Sequence, residues 1–177
     1  MNNREELARD VSNALRDVPD FPEKGVVFKD FTPLLADPEL SARVVADVVD
    51  RRRGEVDVIV GIEARGFIFG SVMAHQLGVP FIPIRKAGKL PAECFQVSYE
   101  LEYGSAVVEM HTDAIAPGTR ALLIDDVLAT GGTACAAAEL IAAAQGIVAG
   151  LEVILELSFL NGRDRLPAMD VVTLLTD

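Results

Sequence analysis

The sequence contains no tryptophan, only two cysteines and two histidines, and far fewer basic than acidic residues. Its 16 Lys and Arg against 27 Asp and Glu give a formal net charge of -11, which argues against binding of nucleic acid through its phosphates. Cys94 and Cys135 lack a Cys-x-x-Cys or histidine partner, so the sequence predicts no zinc knuckle. A reduced, cytoplasmic protein is the simplest interpretation.

Long apolar runs are missing as well. Residues 140–160 form the longest apolar region, but Gln145, Glu152 and Glu156 interrupt it, so we expect no membrane span. The polar first residues do not resemble a signal peptide. At 177 residues, half of them apolar, the chain suits one compact domain with a sizeable core.

The most informative stretch is residues 120–144. An apolar strand (residues 121–124) is followed by an acidic pair, a loop of small residues and an alanine-rich helix. Glycine allows left-handed torsions and close approach of a ligand, and the helix start adds unpaired N–H groups and the positive end of its dipole. We therefore predict a phosphate site in this loop, formed by Ala129, Thr130, Gly131, Gly132 and Thr133.

The acidic pair, Asp125 and Asp126, restricts the kind of phosphate compound that the loop could bind. Two carboxylates would repel a bare phosphate, so a divalent cation or sugar hydroxyls must lie between them, which favours a phosphorylated sugar. No lysine follows the glycines, so the loop is not a Walker A motif, and it lacks the spacing of the dinucleotide fingerprint. The alternative is an ordinary strand-loop-helix turn with glycines for packing and an acidic helix cap.

Two further strand ends carry basic residues. Residues 56–62 read as a strand that runs into a helix and points Arg65 at the edge where open α/β sheets bind ligands. After the strand at residues 79–84, the basic residues Arg85, Lys86 and Lys89 gather in a glycine-containing loop that could fold over a pyrophosphate. A surface salt bridge for Arg65 and a solvated hairpin end for the basic loop are the alternatives.

The remaining segments complete an α/β pattern. Residues 3–18 have helical spacing, and residues 20–35 are either a loop folded on the core or a small flap over a flat apolar ligand. The basic run at residues 51–53 is expected to be a solvated helix cap. Residues 95–99 and 105–111 predict an antiparallel pair. Strands that alternate with helices indicate a mostly parallel twisted sheet flanked by helices, with both functional turns at one edge.

Residues 120–133 closely resemble the phosphoribosyl pyrophosphate (PRPP) motif of the type I phosphoribosyltransferases. Three other stretches resemble the adenine phosphoribosyltransferases in particular, and the similarity runs from about residue 20 to 165. They are Phe21-Pro-x-x-Gly-Val-Val-Phe-x-Asp30, Arg85-Lys-x-Gly-Lys-Leu-Pro91 and Ser98-Tyr-x-Leu-Glu-Tyr-Gly104. The resemblance implies the type I phosphoribosyltransferase fold, with a helix and base-covering flap in residues 1–35 and a core in residues 36–177. It implies that adenine and PRPP give AMP and pyrophosphate, with Mg²⁺.

The resemblance also implies roles for single residues. Residues 129–133 would hold the 5′-phosphate, and the two aspartates the ribose hydroxyls and, through PRPP, Mg²⁺ that the protein does not hold tightly by itself. The residues expected to face pyrophosphate are Arg65, Arg85, Lys86 and Lys89. Those expected to enclose adenine are Val27, Phe28, Arg65 and Leu157. Those expected near the reacting centre are Glu102, Tyr103, Arg65 and Lys86, with Glu102 as our hypothesis for managing the proton of adenine N9.

Other functions remain open at this point. A hypoxanthine, guanine or orotate enzyme is the nearest rival, although the flap motif argues against it. A regulator that senses PRPP or nucleotides without turnover is a different class, but the chain has no basic surface or nucleic-acid-binding module to support it. The resemblance further implies a homodimer, and Glu63 and Ala64 stand where many relatives have Asp and Ser.

Overall fold

The fold is described from a computed structural model that covers residues 3–21, 23–100 and 105–177. Its contacts divide the chain into two compact units, Met1–Asp50 and Arg51–Asp177. The division that we predict at residue 35 stays a prediction. No helix of the described residues is both long and apolar enough to cross a membrane.

The first unit consists of helices and a two-stranded ribbon. Its elements are α1 (Asn3–Ala14), β1 (Arg16–Pro19), β2 (Val27–Asp30), α2 (Thr32–Ala36) and most of α3 (Pro38–Arg52). The prediction of one helix over residues 3–18 is wrong only at its end, because the helix ends at Ala14 and residues 16–19 pair antiparallel with β2 instead. The ribbon is joined by ion pairs such as Lys29–Asp17, at 2.9 Å.

The second unit is built on one eight-stranded sheet. Strand order is β10-β9-β7-β3-β4-β6-β5, and β8 pairs with β9. The bounds are β3 (Val58–Ile62), β4 (Phe81–Lys86), β5 (Cys94–Glu100), β6 (Ser105–His111), β7 (Arg120–Ile124), β8 (Val127–Leu128), β9 (Ile147–Glu156) and β10 (Val171–Thr176). The strands from β10 to β4 are parallel, whereas β6 and β5 are antiparallel additions. The predicted mostly parallel sheet and the antiparallel pair are both confirmed.

Two helices of this unit follow the strands that carry the predicted turns. Helix α4 (Arg65–Leu77) ends at Gly78 in the left-handed conformation, and α5 (Gly132–Ala143) follows the small-residue loop. Half of the residues of α5 are buried, which its alanines allow because small side chains let a helix lie close to a sheet. The core includes the fully buried Leu122, Leu123, Ile141 and Leu151.

The arginines at the end of α3 are not a solvated cap. Arg51 and Arg52 both bind the Glu152 carboxylate on β9, at 2.7 and 2.6 Å, and Arg52 also binds Asp170 at 2.7 Å. Arg52 is 7% exposed and Glu152 3%. The prediction of solvation is therefore wrong for Arg51 and Arg52, because a buried carboxylate on the sheet requires a cationic partner and these guanidinium groups supply it, whereas Arg53 is exposed as expected.

Candidate active site

Three neighbouring parallel strands end side by side, and each end carries predicted site residues. Strand β3 lies between β7 and β4, with Gly61 opposite both Ile124 and Pro83. The chain leaves β7 at Asp125, leaves β3 at Glu63 and ends β4 at Lys86. The expectation that the functional turns share one sheet edge is confirmed.

The predicted phosphate loop lies at the start of α5. Gly131, with φ of 81°, caps the helix in the left-handed region, where glycine carries no steric cost. The N–H groups of the first helical turn have no intrahelical partner and suit an anion. Thr130 is exposed, and Ala129, Gly132 and Thr133 are half-buried. This arrangement can cradle a phosphate.

Gly162 backs this loop and was missed from the sequence. It is a buried residue at the start of a 3₁₀ turn (Gly162–Arg165), and a Cβ on it would collide with the carbonyl oxygen of Ala129. A Cβ on Gly131 would collide in turn with the carbonyl oxygen of Gly162. The two backbones therefore pack directly on each other. The only signal in the sequence was the Asn-Gly pair at residues 161–162. Such a pair indicates a turn but does not indicate that the turn packs against the phosphate loop.

Tyr99 flanks the other side of the loop and was also missed as a site residue. Its hydroxyl lies 3.2 Å from the Thr133 hydroxyl, within hydrogen-bonding distance. A Cβ on Gly132 would fall 3.2 Å from the Tyr99 ring. The tyrosine occurs in the third stretch that carries the resemblance, but only the fold shows that the end of β5 lies against α5.

The acidic pair is linked to the neighbouring turn by an ion pair. Arg65 Nε lies 2.6 Å from Asp126 Oδ2, and the Asp126 side chain is 3% exposed. Burial raises the pKa of Asp126, and Arg65 partly opposes this shift. Burial and the adjacent Asp126 carboxylate hold the pKa of Asp125 well above its ordinary value. Arg65 is thus no isolated surface salt bridge, because it joins the ends of β3 and β7 within the site.

Glu63 gathers the predicted pyrophosphate residues around one carboxylate. Arg85 Nη2 and Lys89 Nζ donate to it at 3.0 and 2.8 Å, and the backbone N–H of Lys86 donates at 3.0 Å. Burial alone would raise the pKa of Glu63, but the bonds from Lys89, Lys86 and Arg85 outweigh it and lower the pKa to about 2. The Glu63–Ala64 peptide bond is cis.

A second carboxylate holds the backbone of the basic loop. Glu109, on β6 and 2% exposed, accepts bonds from the N–H groups of Lys89 and Leu90 at 2.9 Å, and from Gln96 at 3.1 Å. Burial would raise its pKa, but these bonds lower it instead. The sequence signal was an acidic residue within the apolar strand 106–110, which indicates a buried, paired charge. Glu63 and Glu109 therefore hold the basic loop from two sides, although residues 86–89 themselves are exposed, so the alternative of a solvated hairpin end stays open.

The predicted base-binding residues belong to different parts of the chain. Val27, 54% exposed, and Phe28, half-buried, lie on β2 in the first unit, where the Phe28 ring packs edge-on against Phe21 at 5.2 Å. Leu157 follows β9 in the second unit and donates its N–H to Leu128 at 2.9 Å. The remaining predicted residues, Glu102 and Tyr103, lie outside the described residues.

Carboxylate oxygens at this edge are of the type that Mg²⁺ prefers. Within residues 3–21, 23–100 and 105–177, however, no group of three or more His, Cys, Asp or Glu side chains could hold a metal ion. Asp126 is paired with Arg65. Asp125 and Asp126 are thus two adjacent carboxylates at this edge, one of them already paired with a cation.

Comparison with known proteins agrees with this geometry. The model of the phosphoribosyl transferase domain family matches residues 34–172. Adenine phosphoribosyltransferase of Thermobifida fusca is 51% identical over 175 residues, which is 96% of this chain and 99% of the relative. The relative from Acidothermus cellulolyticus with the same name is 55% identical over 166 residues, 93% of this chain and 94% of that protein.

Solved structures give the same result. The adenine phosphoribosyltransferase of Thermoanaerobacter pseudethanolicus superposes with a TM-score of 0.93 at 43% identity, over 96% of this chain and 99% of that one. The enzyme of Saccharomyces cerevisiae, solved with an imino-altritol bisphosphate and adenine, gives 0.92 at 40% identity and the same coverage. Both sequence and fold are shared along nearly the whole chain. The chain therefore belongs to the adenine phosphoribosyltransferase family of type I phosphoribosyltransferases.

Proposed function

We propose that this chain transfers the 5-phosphoribosyl group of PRPP to adenine, giving AMP and pyrophosphate for purine salvage. The observation that carries the proposal is the sheet edge shared by three adjacent strands. The acidic pair and the phosphate loop follow β7, Arg65 follows β3, and the basic loop follows β4. PRPP has a 5′-phosphate, ribose hydroxyls and a pyrophosphate in the same order. The family relationship supports adenine as the acceptor.

The two loops bind the two ends of PRPP. Residues 129–133 donate to the 5′-phosphate through the start of α5, and Asp125 and Asp126 accept from the ribose hydroxyls. At the other end, Arg65, Arg85, Lys86 and Lys89 bind the pyrophosphate. These cations stabilise the negative charge that develops as the leaving group departs.

The reaction is a displacement at the anomeric carbon. Adenine N9 forms a bond to C1′, the bond from C1′ to the pyrophosphate oxygen breaks, and N9 gives up its proton. Glu102 and Tyr103 lie on the segment that we assign to the reacting centre, with Glu102 to manage that proton. Asp125 and Asp126 would help to hold a Mg²⁺ ion brought by PRPP, and the ion would supply positive charge to the leaving pyrophosphate.

Adenine is enclosed by apolar residues in this proposal. We assign Val27 and Phe28 on β2, within the flap of residues 1–35, as contacts of the adenine base, and Leu157 after β9 as a further contact. Backbone groups of Val27 and Arg65 read its polar edge. The exposure of the apolar Val27 and Phe21 supports a ligand-covering role for the ribbon, because solvated loops rarely display neighbouring large apolar side chains.

We also propose that the enzyme is a cytoplasmic homodimer. The family relationship supports the dimer, and the two free cysteines suit a reducing compartment. Sedimentation at micromolar concentration tests the dimer, because a monomeric mass would contradict it.

The experiment for the function is a comparison of four bases. Purified protein is incubated with PRPP and Mg²⁺ and with adenine, hypoxanthine, guanine or orotate at equal concentration. We expect AMP from adenine and no product from the other three. Turnover of another base instead would contradict the assignment of the flap, and PRPP binding without any turnover would favour a sensing protein.

A further inference from the structure

A short segment after β9 connects two parts of the proposed site. Glu156 ends β9, Leu157 follows as the proposed adenine contact, and Gly162 lies against the phosphate loop. Between them Asn161 adopts the left-handed conformation, with φ of 52°. The chain thus reverses direction within six residues. We call residues 156–163 the bracket.

At Gly162 the backbone of the bracket lies directly against the backbone of the phosphate loop. A Cβ on Gly162 would collide with the Ala129 carbonyl and would fall 3.1 Å from the Gly131 nitrogen. Shifting the bracket by even a fraction of an ångström would therefore either press on the phosphate loop or leave it unsupported. The N–H groups that we assign to the 5′-phosphate belong to this supported backbone.

One arginine closes the bracket. Arg163 donates Nε and Nη2 to the two Glu156 carboxylate oxygens at 2.6 and 2.7 Å, and Nη1 to the Val171 carbonyl at 3.0 Å. The Glu156 side chain is only 9% exposed. Such a planar, two-pronged contact fixes both distance and angle, which a lysine at the same position could not do.

We propose that Arg163 is a positioning residue for the 5′-phosphate: by closing the bracket on Glu156 it holds Gly162 against the phosphate loop and so preorganises the loop for PRPP. This inference rests on the proposed function of that loop. Arg163 itself contacts no substrate. Preorganised donors bind an anion without the cost of ordering the loop at the moment of binding.

The inference predicts a selective change in substrate affinity. Leu157, at the other end of the bracket, is held separately by its backbone bond to Leu128 at 2.9 Å. Loosening Arg163 should therefore affect the phosphate end far more than the adenine end. A general loss of fold would weaken both ends alike.

The chain offers a closely matched control in Arg120. It also binds one carboxylate with two nitrogens, Asp57 at 3.0 and 2.7 Å, and a backbone carbonyl, that of Gly54 at 3.2 Å. The Arg120 and Arg163 side chains are each 43% exposed. Arg120 begins β7, at the opposite end of that strand from the acidic pair.

The test compares Arg163→Lys with Arg120→Lys. Binding of ribose 5-phosphate is measured by calorimetry, the KM values of PRPP and adenine are measured by AMP formation, and the urea midpoint of each variant is recorded. For Arg163→Lys we expect the Kd of ribose 5-phosphate and the KM of PRPP to rise about tenfold, while the KM of adenine and kcat stay within about twofold. For Arg120→Lys we expect a smaller shift of the midpoint, because Asp57 is 44% exposed and Glu156 only 9%, with both affinities unchanged.

The outcomes separate the inference from the proposed function. Unchanged ribose 5-phosphate affinity in Arg163→Lys, or equal weakening in both variants, overturns the inference. Wild-type protein that binds ribose 5-phosphate but makes no AMP contradicts the proposed function and leaves the binding test of Arg163 valid. If Arg163→Lys does not fold, Glu156→Gln and Asp57→Asn replace the pair, with the same expected difference and the same contradicting result.

Discussion

In the function that we propose, the phosphate loop and the basic loop bind anions in different ways. The phosphate loop, residues 129–133, uses backbone N–H groups at the start of α5 and is packed so closely that Gly131 tolerates no side chain. The basic loop uses long cationic side chains, which Glu63 gathers from one side while Glu109 holds the backbone from the other. The phosphate loop is therefore defined by its close backbone packing, and the basic loop by its cationic side chains.

This difference suits the two ends of PRPP. The 5′-phosphate stays on the ribose throughout the reaction, so a rigid cradle can hold it. The pyrophosphate gains negative charge as its bond to C1′ breaks. The cationic side chains beside Glu63 can stabilise this added charge. The comparison predicts that variants of the two loops fail differently.

The largest effect is expected from Gly131→Ala. The new Cβ would meet the Gly162 carbonyl, and alanine at φ of 81° adds left-handed strain. We expect kcat/KM for PRPP to fall at least about 100-fold, or about 2.7 kcal/mol. Gly118→Ala is the control, because Gly118 has φ of 79° and open space around its Cβ position. A loss of activity as large in Gly118→Ala would show that torsional strain, and not crowding in the cradle, is responsible.

Arg65→Gln should break the link between the two sites. It removes a cation from the pyrophosphate side and leaves the buried Asp126 without its ion pair. We expect about a 30-fold loss of kcat/KM, in the range that loss of a buried charge partner gives. The pKa of Asp126 is already raised, and without Arg65 it rises further. Because a raised pKa means that the folded state binds this proton more tightly than the unfolded state, the variant should be most stable below the ordinary value of 3.8 and should lose stability as the pH rises above it, which urea titrations from about pH 4 upward would detect. A pH profile parallel to that of the wild type would contradict this role.

Lys86→Gln tests the basic loop through the dependence of the KM of PRPP on salt concentration. Lys86 is exposed at the end of β4, and its charge is screened over about 8 Å at physiological ionic strength. We expect the KM of PRPP to rise about fivefold and to depend less on salt than in the wild type, since an exposed charge contributes about 1 kcal/mol. Arg53→Gln, a charge change outside the site, should leave both quantities as they are. An unaltered salt dependence in Lys86→Gln would argue against a role for this lysine in binding pyrophosphate.

The smallest effect is expected from Glu63→Gln on stability. The folded-state pKa of Glu63, about 2, lies below its ordinary 4.5, so the carboxylate stabilises the fold above about pH 4.5 and this contribution disappears as the pH falls toward 2. Glu63→Gln should lower the free energy of unfolding at pH 7 by about 1 kcal/mol and flatten its decline between pH 4.5 and 2.5. Equal acid sensitivity of variant and wild type would show that Glu63 is not held by its cationic neighbours.

The sequence predicted the strands and turns of the site better than the residues that pack against them or hold them in place. Asp125, Asp126 and residues 129–133 follow a strong local pattern, and their place at the edge beside Arg65 follows from parallel topology. Gly162 and Glu109 were missed because their contacts join residues far apart in the chain, which local spacing does not reveal.

Errors outside the site have the same cause. The helical spacing of residues 3–18 continues past Ala14, but pairing with residues 27–30 converts residues 16–19 into a strand. The arginines at residues 51 and 52 resemble a solvated cap until the fold places Glu152 and Asp170 beside them. In each case a distant partner outweighs the local preference.

The most direct test of the account is to titrate ribose 5-phosphate and pyrophosphate separately into wild type, Gly131→Ala and Lys86→Gln, with Mg²⁺ present. We predict that Gly131→Ala loses ribose 5-phosphate binding and keeps pyrophosphate binding, and that Lys86→Gln weakens pyrophosphate binding about fivefold and keeps ribose 5-phosphate binding. If both variants weaken both ligands equally, the claim that the two loops bind opposite ends of one PRPP molecule is wrong.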